Sequence, residues 1–320
     1  MGTPILCNNK REGMRRLIIV RFSSMVLVLL GITILVFGLS RLSGDPRYLY
    51  MSAYTRITSE SWEAQGKAMG LDKPIAVQYG LWLMNAARGD FGESVHYRRN
   101  SLIMITDSLP ATLRLSGVSF VFAVLLGLPL GVLSAVKRVS VWDYLGRSFA
   151  LLGQAAPPFW IAIVLVWVFS VQLGWLPTSR QGDWTHYVLP VVTLAWLPAA
   201  GLLRLTRSSM LEIMDSEYIK LAKAKGVGSW KIIWKHALRN ALIAPLTFAA
   251  TLLAGFLTGT VVIETVFAWP GLGRLAVQAT LNTDFPLITG LALIFSIMFL
   301  LCSLAADILY AMIDPRIRYR

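Results

Sequence analysis

The sequence predicts an all-α membrane protein with six transmembrane helices, a helical insert on one side of the membrane and an amphipathic loop on the other. Three observations predict it. At 320 residues the chain is 56% hydrophobic and 15% charged, with mean hydropathy +0.61, far too apolar for a soluble domain of this length. Six stretches carry no Asp, Glu, Lys or Arg: Phe22–Ser40 (19 residues), Leu115–Val136 (22), Ser148–Ser179 (32), Trp184–Leu203 (20), Asn240–Ile263 (24) and Phe285–Ala306 (22). Each reaches the ~20 residues that a helix needs to cross hydrocarbon. The basic residues are then unevenly shared between the connecting segments, which fixes an orientation.

Residues 1–16 form a basic, cytoplasmic N-terminal segment with Lys10, Arg11, Arg15 and Arg16. The first span, 17–40, follows; its apolar run is too long for a signal-peptide core, so it is read as an uncleaved anchor. Segment 41–108 is an extracytoplasmic insert, too long for an ordinary connection. Within it Asp72 and Pro74 open an amphipathic helix through Ile75, Tyr79, Trp82, Leu83 and Ala86, and Gly89 ends it. The second span, 109–136, starts near Arg114 and carries Gly127 and Gly131, a pair that lets helices approach closely. A cytoplasmic loop, 137–147, leads to the third span, 148–173, with Pro157 and Pro158 as expected kinks.

The outer loop 174–186 connects to the fourth span, 187–205, with Pro190 and Pro198; the polar loop 206–239 then leads to the fifth, 240–263, with Pro245, Gly255 and Gly259. Glu264 begins the outer loop 264–286. The sixth span, 287–312, holds Asp307 near its end, and 313–320 is a basic tail. The segments assigned to the cytoplasm, together with Arg21 and Arg204 at the membrane edge, hold nineteen Lys and Arg, with Arg204 and Arg239 bounding the largest group. The two short opposing loops hold only Arg180 and Arg274, so both termini are expected in the cytoplasm. Charge spread over separate loops argues against nucleic-acid binding. Cys7 and Cys302 fall in the N-terminal segment and in a span, a pair that cannot form a disulfide framework.

The loop from Arg204 to Arg239 is the most informative segment. Leu211, Met214, Tyr218 and Leu221 recur at helical steps before Gly226 and Gly228 interrupt them; Trp230, Ile233, Trp234, Ala237 and Leu238 then form a second apolar face after Ser229. Two short amphipathic helices at a bend suit a groove on another protein, with a surface of anionic lipid as the alternative. Charged groups at the edges of spans, namely Arg114, Glu264 and Asp307, are candidate structural charges; Asp307 could pair with Arg204 or Arg207, or reach the interface. Gln154, Thr193, Thr247, Thr251 and Thr258 are candidates to line a path, although threonine often bonds its own helix backbone. No phosphate-binding GxxxxGK[ST], HExxH, GxSxG or CxxC occurs, and His96, His186 and His236 lie in three different loops. No catalytic, cofactor-binding or metal site is expected on the chain.

Glu217–Asn240, EYIKLAKAKGVGSWKIIWKHALRN, resembles the coupling loop of ABC importer permeases in its peptide-family form. Met69–Ser94, Leu109–Leu113 (LPATL), Pro157–Trp160 (PPFW), Leu173–Pro177 (LGWLP), Glu264–Arg274 (ETVFAWPGLGR) and Asp314–Tyr319 (DPRIRY) resemble the dipeptide, oligopeptide and nickel permease family in that family's order. The resemblance implies a type I permease bundle with a single permease domain over about 94–320. It implies a bacterial inner-membrane subunit working with a second, similar permease, two ATPase subunits that hold ATP and Mg, and an extracytoplasmic solute-binding protein. Tyr218, Leu221, Ala222, Ala224, Lys225 and Gly226 would then meet an ATPase. The loop departs from the broader E-A-A-x-x-x-G form, since Lys220, Leu221 and Ala222 fill its first three positions. Peptides are the expected cargo, with a nickel chelate, glutathione or haem as alternatives. A self-sufficient carrier or channel is the alternative of another class, and the inverted repeats that would mark one are not found.

Overall fold

The computed structural model describes residues 5–42, 47, 58–68 and 70–313. The expected tail and its DPRIRY motif lie outside the described residues, as do the side chains of the basic N-terminal segment and Cys7. Helices dominate, and among the described residues there is no strand. In chain order they are α1 (Ile5–Leu42), α2 (Ser59–Ala68), α3 (Ile75–Ala87), α4 (Ser101–Val136), α5 (Val141–Ala155), α6 (Pro158–Leu165), α7 (Trp184–Met214) and α8 (Glu217–Ala224). They continue with α9 (residues 229–241, with a π turn at Ile232–Ala237), α10 (Ile243–Val266), α11 (Leu272–Leu281) and α12 (Phe285–Ile313). Five are long and apolar enough to cross a membrane: Arg21–Leu42 of α1, then α4, α7, α10 and Phe285–Leu309 of α12.

The third expected span is broken. Val141–Ala155 and Pro158–Gln172 meet at 110°, so 148–173 is a bent pair and not one continuous helix. Pro157 and Pro158 explain the break: neither can donate a backbone hydrogen bond, and Ala156 before them is extended at ψ 127. A π segment, Val166–Gln172, ends the pair. The fourth helix is longer than expected, since the first nine residues assigned to the polar loop, 206–214, continue α7. Pro190 and Pro198 sit inside that helix, whereas Pro245 stands in the first turn of α10, where a missing donor costs little. Asp183 caps α7 by accepting from the Thr185 backbone N–H at 3.1 Å, and hydrogen bonds from Thr185 and His186 hold its carboxyl below the usual carboxylate range.

The chain divides into two compact units. Unit 1 comprises Met1–Arg16, Ala111–Arg274 and Phe299–Arg320. Within it α5, α6 and α10 pack on α7, around a core that includes Leu115, Ala162, Leu194, Ala199, Phe256 and Trp269. Glycine sets the approach of α4: a Cβ at Gly127 would lie 2.7 Å from Leu202 Cβ, and one at Gly131 2.6 Å from Thr206 Cβ. Gly255 and Gly259 make no such contact, since a Cβ at Gly255 meets nothing within 4 Å and one at Gly259 only Leu194 at 3.5 Å. The α5 end is fixed by Asp143, which is fully buried and accepts from Ser134 Oγ (2.7 Å), Val139 N (3.1 Å), Arg147 (3.0 Å) and Arg207 (2.7 and 3.1 Å). A buried carboxylate between two guanidiniums is the paired arrangement that burial of charge demands.

Unit 2 comprises Leu17–Pro110 and Leu275–Met298. Tyr79 and Trp82 of α3 pack on Phe37 of α1 at 5.5 and 5.6 Å between ring centroids, and Tyr79 shares a 2.8 Å hydrogen bond with Thr33. After α3 the chain turns at Gly89, φ +82, and residues 93–100 form a tight loop. Buried Asp284 holds that loop, accepting from Ser94 Oγ and from the backbone of Val95 and His96 at 3.3 Å. The acceptor is charged and the donors converge, a strong form of loop anchor.

Candidate functional site

The polar loop folds into a packed two-helix element. Ile219 is its hidden anchor, fully buried among Val132, Met210, Ile232, Ala237 and Ala241. The expected continuous stripe from Leu211 to Leu221 is split, because α7 ends at Met214 and α8 restarts at Glu217. Leu211 and Met214 pack inward, whereas Tyr218 and Leu221 are 41% and 56% exposed. The second expected face is split as well. A π turn at Ile232–Ala237 turns Ile232 and Ala237 inward and leaves Trp230 (72%) and Trp234 (47%) outside, their rings 5.2 Å apart.

Gly226 ends α8 with φ +77. Its N–H bonds the carbonyl of Lys223 at 3.0 Å, and Val227 N–H bonds that of Ala222 at 3.1 Å, the pair of bonds that closes a Schellman motif. Ala224, Lys225 and Gly226 are exposed at this corner, and Ala222 is half-buried. The two halves of the loop are tied by Tyr218, whose hydroxyl donates to the His236 carbonyl at 3.2 Å and accepts from Asn240 Nδ2 at 3.0 Å. Asn240 also donates to that carbonyl at 3.2 Å. Ile219 does not stand out in the sequence, since one isoleucine among many carries no pattern. The resulting surface presents Tyr218, Leu221, Trp230 and Trp234 with Lys220, Lys223, Lys225 and Lys231 exposed among them. Aromatic anchors rimmed by cations suit a protein groove that carries acidic groups.

The candidate path residues do not converge. Thr193 is buried and bonds Leu189 O; Thr247, Thr251 and Thr258 bond Ile243 O, Phe248 O and Gly255 O on their own helix. Thr251 and Thr258 lie at the surface of α10 with Gly255 between them, a polar and small strip on an otherwise apolar helix. Gln154 is elsewhere, at a cavity of about 410 Å³ among α5, α6, α7 and α10, where it accepts from Arg204 at 2.9 Å.

At the far end of α10, about 32 Å from its start by helical rise, Glu264 organises a buried node. It is fully buried and accepts from Thr112 Oγ1 (2.7 Å), Gly273 N (2.7 Å) and Arg274 N (3.1 Å). Thr112 in turn accepts from Leu272 N at 2.8 Å, and buried Trp269 donates its indole N–H to Ala111 O at 3.1 Å. Gly271 and Gly273 are required here: a Cβ at Gly271 would lie 2.4 Å from the Glu264 carboxyl carbon, and one at Gly273 2.5 Å from Val261 Cα. Of the other candidate charges, Arg114 is exposed on α4 and Asp307 is half-buried on α12. The carboxylate that Arg207 engages is Asp143, which sequence spacing did not reveal.

A family profile described as "Binding-protein-dependent transport system inner membrane component" matches residues 127–319. The oligopeptide transport system permease protein AppB of Bacillus subtilis is 40% identical over 306 residues, covering 91% of this chain and 96% of that one. The glutathione transport system permease protein GsiC of Escherichia coli K12 is 38% identical over 304 residues, covering 95% and 99%. Among solved structures, an inward-facing MetNI methionine ABC transporter chain is similar with TM-score 0.56 at 19% identity, covering 66% of this chain and 96% of that one. An amino acid ABC transporter chain gives 0.54 at 16%, covering 65% and 94%.

Proposed function

The chain belongs to the binding-protein-dependent transport system inner membrane component family, and from that premise we propose that it is one of two permease subunits of an ATP-driven peptide importer. The carrying observation is the loop built on Ile219. It is a two-helix element that leaves Tyr218, Leu221, Trp230 and Trp234 exposed among the described residues. Its helices lead straight into α7 and α10, so a push on the corner Ala222–Gly226 reaches both. Two partner ATPases supply ATP and Mg; their nucleotide state acts by favouring one bundle conformation over another. The segment 41–108 faces an extracytoplasmic binding protein, both termini lie in the bacterial cytoplasm, and the Thr251–Thr258 strip of α10 lines half of the path. Small peptides are the cargo that the AppB likeness favours, and the GsiC likeness at 38% keeps glutathione, itself a tripeptide, as the second reading.

Affinity purification of the tagged chain in mild detergent tests the assembly. A second permease and phosphate-loop ATPases are expected to co-purify; a homogeneous chain that moves solute in liposomes without ATP would make it a carrier. Orientation has its own test. Ser59 is exposed at the start of α2, so Ser59→Cys in a chain with Cys7→Ser and Cys302→Ser is expected to react with an impermeant maleimide in intact spheroplasts. Labelling only after lysis would invert the topology.

A further inference from the structure

Arg204 differs from its neighbour one turn on. Arg207 is neutralised by Asp143, whereas among the described residues no carboxylate lies within ion-pair distance of Arg204, whose Nη1 donates to Gln154 Oε1 at 2.9 Å. A guanidinium has five N–H donors and no acceptor, and Gln154 keeps its amide NH₂. With its carbonyl taken, the pair offers donors to anything that approaches. The cavity of about 410 Å³ beside it is otherwise apolar, walled by Leu194, Phe248, Phe256 and Gly255. An anion that binds there must carry an apolar group into the cavity. A whole peptide would strand its amides, because the walls supply no partners for them.

We propose that this cavity receives the C-terminal residue of a transported peptide, its carboxylate on Arg204 and Gln154 and its apolar side chain among Leu194, Phe248 and Phe256. The proposal rests on the transport reading above. Peptide amides upstream of that residue stay outside, along the Thr251–Thr258 strip of the same helix. The site reads one terminal charge and one apolar side chain and ignores the rest, which suits a path that must pass many sequences. Planar, two-pronged recognition of a carboxylate is what a guanidinium does best.

The test uses the purified permease and ATPase complex without its binding protein, and equilibrium binding of tritiated alanyl-alanyl-leucine as the free acid and as the C-terminal amide. The wild type is expected to prefer the acid roughly tenfold or more, and Arg204→Gln to bring that ratio close to one. Gly255→Leu, placed where a side chain meets open space, is expected to weaken acid and amide alike. No acid preference in the wild type, no measurable peptide binding, or a preference retained in folded Arg204→Gln overturns the proposal. Phosphatidylglycerol retained by the wild type and lost from Arg204→Gln, with no peptide preference, assigns the anion to a lipid headgroup and also overturns it. Each of these failures leaves the complex with its ATPases intact, whereas failure of the transport reading would show as a chain that recruits none.

Discussion

Glu264→Ala is expected to leave little folded protein in the membrane. The side chain is the common acceptor for Thr112 Oγ1, Gly273 N and Arg274 N, all in a site closed to water. Each donor left without a partner costs about 1–3 kcal/mol, and an emptied site adds the loss of packing, so the sum approaches the whole stability of a typical domain. Glu264→Gln should be far milder. Its carbonyl can serve Gly273 and Arg274, while its amide can donate to the lone pair of Thr112 Oγ1 that Leu272 N does not use. Abundance in membranes and a thermal melt in detergent separate the two. Equal damage from both variants would mean that the charge itself is needed, and an unaffected alanine variant would remove the node from the fold's supports.

Gly226→Val is expected to abolish uptake with normal membrane abundance. At φ +77 an ordinary L residue is disfavoured by about 1–2 kcal/mol, and β-branching adds to that. The strain falls on the two bonds that close α8, not on the core, because a Cβ there meets nothing within 4 Å. The exposed corner would open while Ile219 stayed anchored. Gly226→Asn, which tolerates the left-handed region, should keep a substantial part of the activity. Uptake into proteoliposomes, with the ATPase rate measured alongside, checks this. Full transport by the valine variant would take the corner out of the coupling route.

The parts of the fold readable from the chain were those set by local chemistry. Runs without charge, Pro74 before α3, Gly89 after it and the paired prolines at 157 and 158 each act within a turn or two, so a one-dimensional reading reaches them. The 110° bend was harder, since proline announces a break but not its angle. The site is split in the same way. Gly226 at a helix end was legible, whereas Glu264 meets Thr112 across 152 residues and Arg207 meets Asp143 across 64. Spacing places Tyr218 on a helical stripe but does not reveal the hydrogen bond that its hydroxyl accepts from Asn240, 22 residues on. The threonines of α10 bond their own backbone, the alternative the sequence left open for them, because a hydroxyl in an apolar medium takes the nearest carbonyl.

The broken third span bears on the bilayer around the protein. Pro158–Gln172 is fifteen residues long, about 22 Å by helical rise, against roughly 30 Å of hydrocarbon in an average membrane. Exposed Trp160 and Trp175 stand near its two ends, where indole rings seek the headgroup level. Where a segment that short crosses alone, the lipid beside it would have to thin, at a cost that rises with every ångström of mismatch. Acyl-chain length would thus become a variable of the machine, with thin bilayers relieving this flank and thick ones compressing against it.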